Sequence, residues 1–191
     1  MISLHIFTEE PSLKLVLETI LPQILPENVF FHIYSHQGKQ DLERALRTTL
    51  PSISKIPGAR IIVTRDQDSS DCRELKQNLI EIIGLNCQCD FLVRIVCREL
   101  ESWYLGDMQA IKRAYPRFNI DQHKNKAEFR NVDKLQSPNK ELLKIIPEYS
   151  NRDYLPKLET AEYISPFLNL KENKSESFNQ MINAILRLTK D

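Results

Sequence analysis

No stretch of this 191-residue chain approaches the roughly 20 apolar residues that a membrane-spanning helix needs. A role that depends on a helical span is therefore not expected. Glycine is scarce, with four in the whole chain, and none stands in a Gly-x-x-x-x-Gly-Lys pattern, so a phosphate-binding glycine loop is excluded. An excess of one charge is also missing: 26 basic residues face 26 acidic ones, for a formal net charge of zero. The four cysteines are Cys72, Cys87, Cys89 and Cys97. Cys87-Gln88-Cys89 has one residue between the thiols, no matching pair follows, and His36 and His123 complete no zinc spacing. The cysteines read as reduced and structural. With no signal peptide ahead of Ile-Ser-Leu-His-Ile-Phe, a cytoplasmic location is expected. No Ser-His-Asp or Cys-His order points to a nucleophilic triad, and no internal repeat or low-complexity tract stands out.

What is present is an alternation of short apolar runs with helical spacing. Apolar residues make up 41% of the chain, enough for a core, and the length fits one domain. Ile2–Phe7 reads as a first strand. Leu13, Val16, Leu17, Ile20 and Leu21 follow Pro11-Ser12 at helical spacing. Val29–Tyr34 is a second strand, and Leu42, Ala45, Leu46 and Leu50 mark a helix that Pro51 should stop. Residues 59–64 are a β-branched third strand. Leu75, Leu79, Ile82 and Ile83 mark a helix that Ser70 or Asp71 can cap and Gly84 can end, and Phe91–Cys97 is a fourth strand. This order predicts an α/β fold with a mostly parallel central sheet flanked by helices. A helical or loop extension should follow, with Phe178, Met181, Ile182, Ile185 and Leu186 of a last helix packing back on the sheet. Residues 1–191 are expected to form one domain, with 108–159 a basic insertion or cap packed on its core.

The chemistry concentrates at strand ends. Asp66 and Asp68 follow the third apolar run, and Glu9 and Glu10 follow the first. Ligands of open α/β sheets gather where strands end, so two acidic strand ends suggest one acidic site. Such a pair is costly unless a cation meets it, and Mg²⁺ or Mn²⁺ takes hard oxygen ligands of this kind. Glu9, Glu10, Asp66 and Asp68 are the candidate metal ligands. The opposing account is that Asp66 and Asp68 open a solvated loop and cap a helix.

The segment after the fourth strand, Arg98-Glu99-Leu100-Glu101-Ser102-Trp103-Tyr104-Leu105-Gly106-Asp107, holds three acids and the only tryptophan. Glu99 and Glu101 cannot share a helical face. One is expected to reach the metal or accept a proton, and the other to meet Arg94 or Arg98. Lys39 after Gly38, Arg65 and Arg98 are the candidate phosphate contacts. His36, near the same edge, could assist, and Trp103 reads as core rather than as a stacking platform. Charge is uneven along the chain: residues 1–107 carry 11 basic and 15 acidic residues, and 108–159 carry 11 basic and 7 acidic. A basic segment beside an acidic site suits a nucleic acid backbone, although ordinary surface scatter produces the same counts.

Several of these segments together resemble a bacterial family of unknown function, number 4276. The pieces that carry the resemblance are Phe7-Thr8-Glu9-Glu10-Pro11-Ser12, His36-Gln37-Gly38-Lys39-Gln40-Asp41-Leu42, Arg65-Asp66-Gln67-Asp68 with Asp71-Cys72, Val93 through Asp107, and Ser175-Glu176-Ser177-Phe178. They run over nearly the whole chain, and Arg98–Asp107 is the most specific. That family in turn is similar to the toprim domain of topoisomerases, primases and overcoming-lysogenisation-defect nucleases. The resemblance implies that Glu9 matches the toprim glutamate and that Asp66 with Asp68 matches its Asp-x-Asp. The glycine that usually follows the glutamate is Glu10 here, which makes Glu10 a substitute ligand. Mg²⁺-dependent phosphodiester cleavage of nucleic acid is the implied activity. Some toprim relatives act beside ATPases in phage defence, so the alternative is a non-catalytic module that binds such a partner.

Overall fold

The computed structural model describes residues 1–190. Its sheet has four strands, Ile2–Thr8 (β1), Val29–Ser35 (β2), Ala59–Asp66 (β3) and Phe91–Val96 (β4), in the order β2-β1-β3-β4. Every neighbouring pair is parallel. β1 and β3 are the inner strands, with most of their side chains buried on both faces. That burial is why their sequences are near-continuous apolar runs rather than alternating ones. Leu4, Ile6 and Ile62 point to one core, and Phe7, Ile61 and Val63 to the other.

The helices divide between the two faces. Pro11–Ile24 (α1) covers the first face, and Lys39–Thr48 (α2), Leu50–Ile53 (α3) and Cys72–Gly84 (α4) cover the second. Asp71 caps α4, its carboxylate accepting from the N–H groups of Arg73 and Glu74 at 2.8 and 3.0 Å. Pro51 does not stop the second helix as expected. It opens α3, because proline lacks the N–H that a first helical turn leaves unused. α2 has already ended at Thr48, with the Thr49 N–H closing on the Ala45 carbonyl.

The remaining chain completes the first face. Glu101–Leu105 (α5), Met108–Ala114 (α6), Pro138–Ile145 (α7), Lys157–Ile164 (α8) and Glu176–Leu188 (α9) all contribute to its core. Residues 108–159 are polar on paper, yet they bury Phe118, Phe129, Val132, Leu142 and Tyr149 completely or nearly so. Those side chains stand singly on short helices, 3-10 turns and a loop, so no long apolar run announces them. α8 packs on α1, and α7 packs on α5.

α9 runs against β4. Its first turn is held by Ser175, whose hydroxyl accepts from the Phe178 N–H, and by Asp133, which accepts from Ser175 Oγ and the Ser177 N–H at 2.7 and 2.9 Å. Trp103 is fully buried and donates its indole N–H to Ser177 Oγ at 2.9 Å, so it is core. Gly106 allows the close approach of the same segment: a Cβ there would lie 2.0 Å from Asn173 Oδ1. The two late motif blocks, around Trp103 and around Ser177, are thus one packed unit. Among the described residues no helix is long and apolar enough to cross a membrane.

Candidate functional site

The sheet order makes the chain leave β1 toward β2 and leave β3 toward β4, so the connections diverge between the two inner strands. A crevice opens at such a point beyond the C-terminal strand ends. Thr8 pairs with Thr64, which brings Glu9 beside the end of β3. β3 is longer than the apolar run alone suggests, and Asp66 is its last residue rather than the first of a loop. Its backbone N–H donates to Glu9 Oε2 at 3.3 Å.

The acids then sort into two groups, because side chains alternate along a strand. Arg65 reaches Glu9 Oε2 at 3.5 Å through Nε and Glu43 Oε1 at 3.0 Å through Nη1. Glu9 is 8% exposed. Burial pushes its carboxyl above the usual range, Arg65 draws it back, and Asp68 and Glu10 add to the rise. The other group lies around Asp66. Burial, Glu10 and Glu101 push the Asp66 carboxyl well above the ordinary value, against the pull of Lys157. Glu101 is 1% exposed, and burial raises it to about 7 although Lys157 opposes the shift. Lys157, the first residue of α8, donates to both carboxylate oxygens of Glu10 at 2.9 Å. Burial disfavours its charge, but Glu101, Glu10 and Asp66 outweigh that and hold the ammonium more firmly protonated than usual.

Four buried side-chain polar atoms here lack a hydrogen-bond partner, two of them Thr64 Oγ1 and Arg65 Nε at the end of β3. Glu101 Oε2 and the Tyr104 hydroxyl are both buried and unbonded. Burial, Glu101 and Asp66 all push the Tyr104 phenol upward. A cleft of about 290 Å³ is lined by Glu9, Glu10, His36, Gly38 and Lys157 among others. His36 donates its Nδ1–H to the Thr8 carbonyl at 2.8 Å. Gly38, with φ of +87°, turns the chain into α2, and Lys39 is exposed in its first turn.

The other sequence candidates fall elsewhere. Asp68 is exposed on the rim, in a left-handed conformation with φ of +52°. That twist is why two acids one residue apart do not sit alike, one buried and one in solvent. Arg98, also left-handed, receives the Asp68 N–H on its carbonyl at 2.9 Å and donates Nη1 to the Asp68 carbonyl at 3.1 Å, tying the ends of β3 and β4 together. Glu99 accepts the Asn139 N–H at 3.0 Å, in the first turn of α7. The expected partnership of Glu99 or Glu101 with Arg94 or Arg98 is not what forms. Arg94 donates to the Gln180 carbonyl, and the cation near Glu101 is Lys157. Sequence reasoning missed Lys157, Tyr104 and Glu43. Tyr104 lies within the Arg98–Asp107 motif block, and Pro156 ahead of Lys157 marks a helix start and nothing more.

The site's donors are carboxylate oxygens, the hard set that Mg²⁺ or Mn²⁺ takes, and Glu101 Oε2 lacks a partner, so the residues fit such an ion in kind. They do not form a finished cage: among the described residues no group of three His, Cys, Asp or Glu side chains is already placed to hold a metal. A parallel α/β sheet with buried carboxylates at its switch point defines the class of the protein. Residues 8–186 match the family model described as Domain of unknown function (DUF4276), and the chain belongs to that family. The match takes in both acidic strand ends, the Trp103 segment and most of α9. No curated protein and no solved structure matches the chain.

Proposed function

We propose that this protein is a single toprim-like domain that cleaves phosphodiester bonds of nucleic acid with Mg²⁺ or Mn²⁺. The observation that carries the reading is the gathering of Glu9, Glu10, Asp66 and Glu101 at the ends of β1, β3 and β4, with one buried Glu101 oxygen unpartnered. Four carboxylates face two cations there, Arg65 and Lys157. A divalent ion bound by Glu9, Asp66 and Asp68, with Glu10 as a further ligand, supplies polarisation of a phosphoryl oxygen and a lowered pKa for bound water. The residues of the chain do the rest. Glu99 is committed to α7, so the assisting carboxylate is Glu101, whose raised pKa suits proton transfer near neutral pH. Arg65 is committed to Glu9 and Glu43 and orients the ligand Glu9. Lys39, exposed beside Gly38, is the phosphate contact, and the basic 108–159 cap holds the nucleic acid backbone.

Purified protein, tested on plasmid and on single-stranded DNA and RNA with Mg²⁺ or Mn²⁺, should cleave. Asp66→Asn combined with Asp68→Asn should abolish the cleavage, and activity that survives both rules the site out. One observation favours a second reading. Lys157 already supplies a cation to Glu10, so the acids can persist without metal as part of a non-catalytic module that binds a partner such as an ATPase. Failure to cleave any of these substrates moves the assignment to that module.

A further inference from the structure

We propose that Cys87 and Cys89 form a thiol–disulfide exchange site, passing reversibly between dithiol and disulfide with a low-molecular-weight disulfide such as oxidised glutathione as partner. The site is separate from the carboxylate cluster and does not depend on the metal reading. It lies in the turn between α4 and β4, at the end of β4 opposite the one that pairs with Asp66. Cys87 Sγ and Cys89 Sγ are 3.7 Å apart, and the Cys87 thiol donates to the Cys89 carbonyl at 3.3 Å. Both side chains are half-buried against the core under α2 and α4. Among the described residues no such sulfur contact joins Cys72 to Cys97, although both line one cleft beside α9.

Three features suit the pair to exchange. The sulfurs must close from 3.7 Å to a bond of about 2.05 Å, and the segment that carries them is free to shift. Cys87, Gln88 and Cys89 belong to no helix or strand, and their backbone groups enter no backbone–backbone hydrogen bond. The two thiols also differ. Burial pushes the Cys89 thiol up to about 12, and the Cys87 sulfur adds to the rise. Cys89 therefore keeps its proton and can donate it to a thiolate at Cys87, so Cys87 attacks and Cys89 resolves. Last, a ring closed over the single residue Gln88 gains little from loop closure, which makes the bond labile rather than structural. In the first step Cys87 gives its proton to water and its thiolate attacks one partner sulfur. A Cys87–partner bond forms, the partner's own S–S bond breaks, and one partner thiolate leaves. Cys89 then gives up its proton, attacks the Cys87 sulfur and expels the second partner thiolate. The two protons end on the two partner thiolates, and two electrons have passed from the protein's sulfurs to the partner.

The test uses the unaltered chain. After incubation with oxidised glutathione, free thiols are alkylated and the protein is cut with trypsin. Cleavage after Lys76 and Arg94 yields one peptide that holds Cys87 and Cys89 alone, while Cys72 and Cys97 fall in two others. The Cys87–Cys89 peptide should be two hydrogen atoms lighter than its reduced form and carry no alkyl group, with the Cys72 and Cys97 peptides mostly alkylated. Millimolar reduced glutathione should restore both thiols. In Cys89→Ser the reaction should stop with glutathione on Cys87, and in Cys87→Ser glutathione should join Cys89 about tenfold more slowly or worse. Two alkylated thiols in the wild type, or glutathione that stays on either sulfur without resolving, overturns the proposal. So does a disulfide that reduced glutathione leaves intact. The wild-type measurement decides the matter if either variant does not fold.

Discussion

Glu101→Gln should make the metal-free protein more stable at pH 8, and the structure sets the size of the gain. Glu101 is 1% exposed at the start of α5, with one carboxylate oxygen unbonded. Burial raises its carboxyl from 4.5 to about 7, and Glu99 and Glu10 add to the rise. That rise is worth about 3 kcal/mol against the ionised form. Between pH 4.5 and pH 7 the folded chain keeps this proton while the unfolded chain has shed it. Stability therefore falls as pH rises through that window, and the full cost is present above pH 7. A neutral amide of the same shape avoids the cost, so the gain should approach 3 kcal/mol at pH 8 and nearly vanish at pH 4.5. Urea denaturation of both proteins in EDTA, at several pH values across this range, measures it. A constant difference between wild type and Glu101→Gln over the range, or a variant less stable at pH 8, refutes the claim that Glu101 is a strained carboxylate.

Two further outcomes follow from the same electrostatics. Arg65→Met should cost about 3 kcal/mol in urea denaturation at pH 7, because it leaves Glu9 buried without the guanidinium 3.5 Å away. A loss under about 1 kcal/mol, typical of surface pairs, would show that solvent already serves Glu9. Mg²⁺ or Mn²⁺ at ten times its Kd should stabilise the wild type by about 1.4 kcal/mol, roughly 3–5 °C in Tm for a chain this size. The gain should shrink in Glu9→Gln and in Asp68→Asn. Equal midpoints with and without millimolar metal by scanning calorimetry would show that the acids bind no divalent ion.

Much of the sheet was legible because its inner strands are buried on both faces. A strand covered by helices on each side needs apolar residues at nearly every position, and Ile2–Phe7 and Ala59–Val63 read that way. Helices with one wet face, such as α1, α4 and α9, showed their apolar stripe. The cap did not. Phe129 and Val132 sit among charged residues on 3-10 turns of three or four residues, and Phe118 in a loop, segments too short to display a period. The different fates of Asp66 and Asp68 were also hidden, since a left-handed dihedral at Asp68 leaves no mark in an Asp-Gln-Asp string.

The acids at the strand ends were legible in the sequence and Lys157 was not, for a physical reason. A carboxylate straight after a buried strand is forced to the sheet's edge by the strand itself, so Glu9 and Asp66 advertise their position locally. A cation that answers them can come from anywhere the fold brings near. Glu43 and Arg65 meet across 22 residues, and Lys157 reaches Glu10 across 147. In the sequence Lys157 is one of eleven basic residues between 108 and 159, and counting them suggested a surface for a polyanion. The fold takes one of the eleven out of that surface and sets it against the acidic cluster. The charge that looked available to nucleic acid is in this one instance paired with Glu10 inside the protein's own acidic cluster.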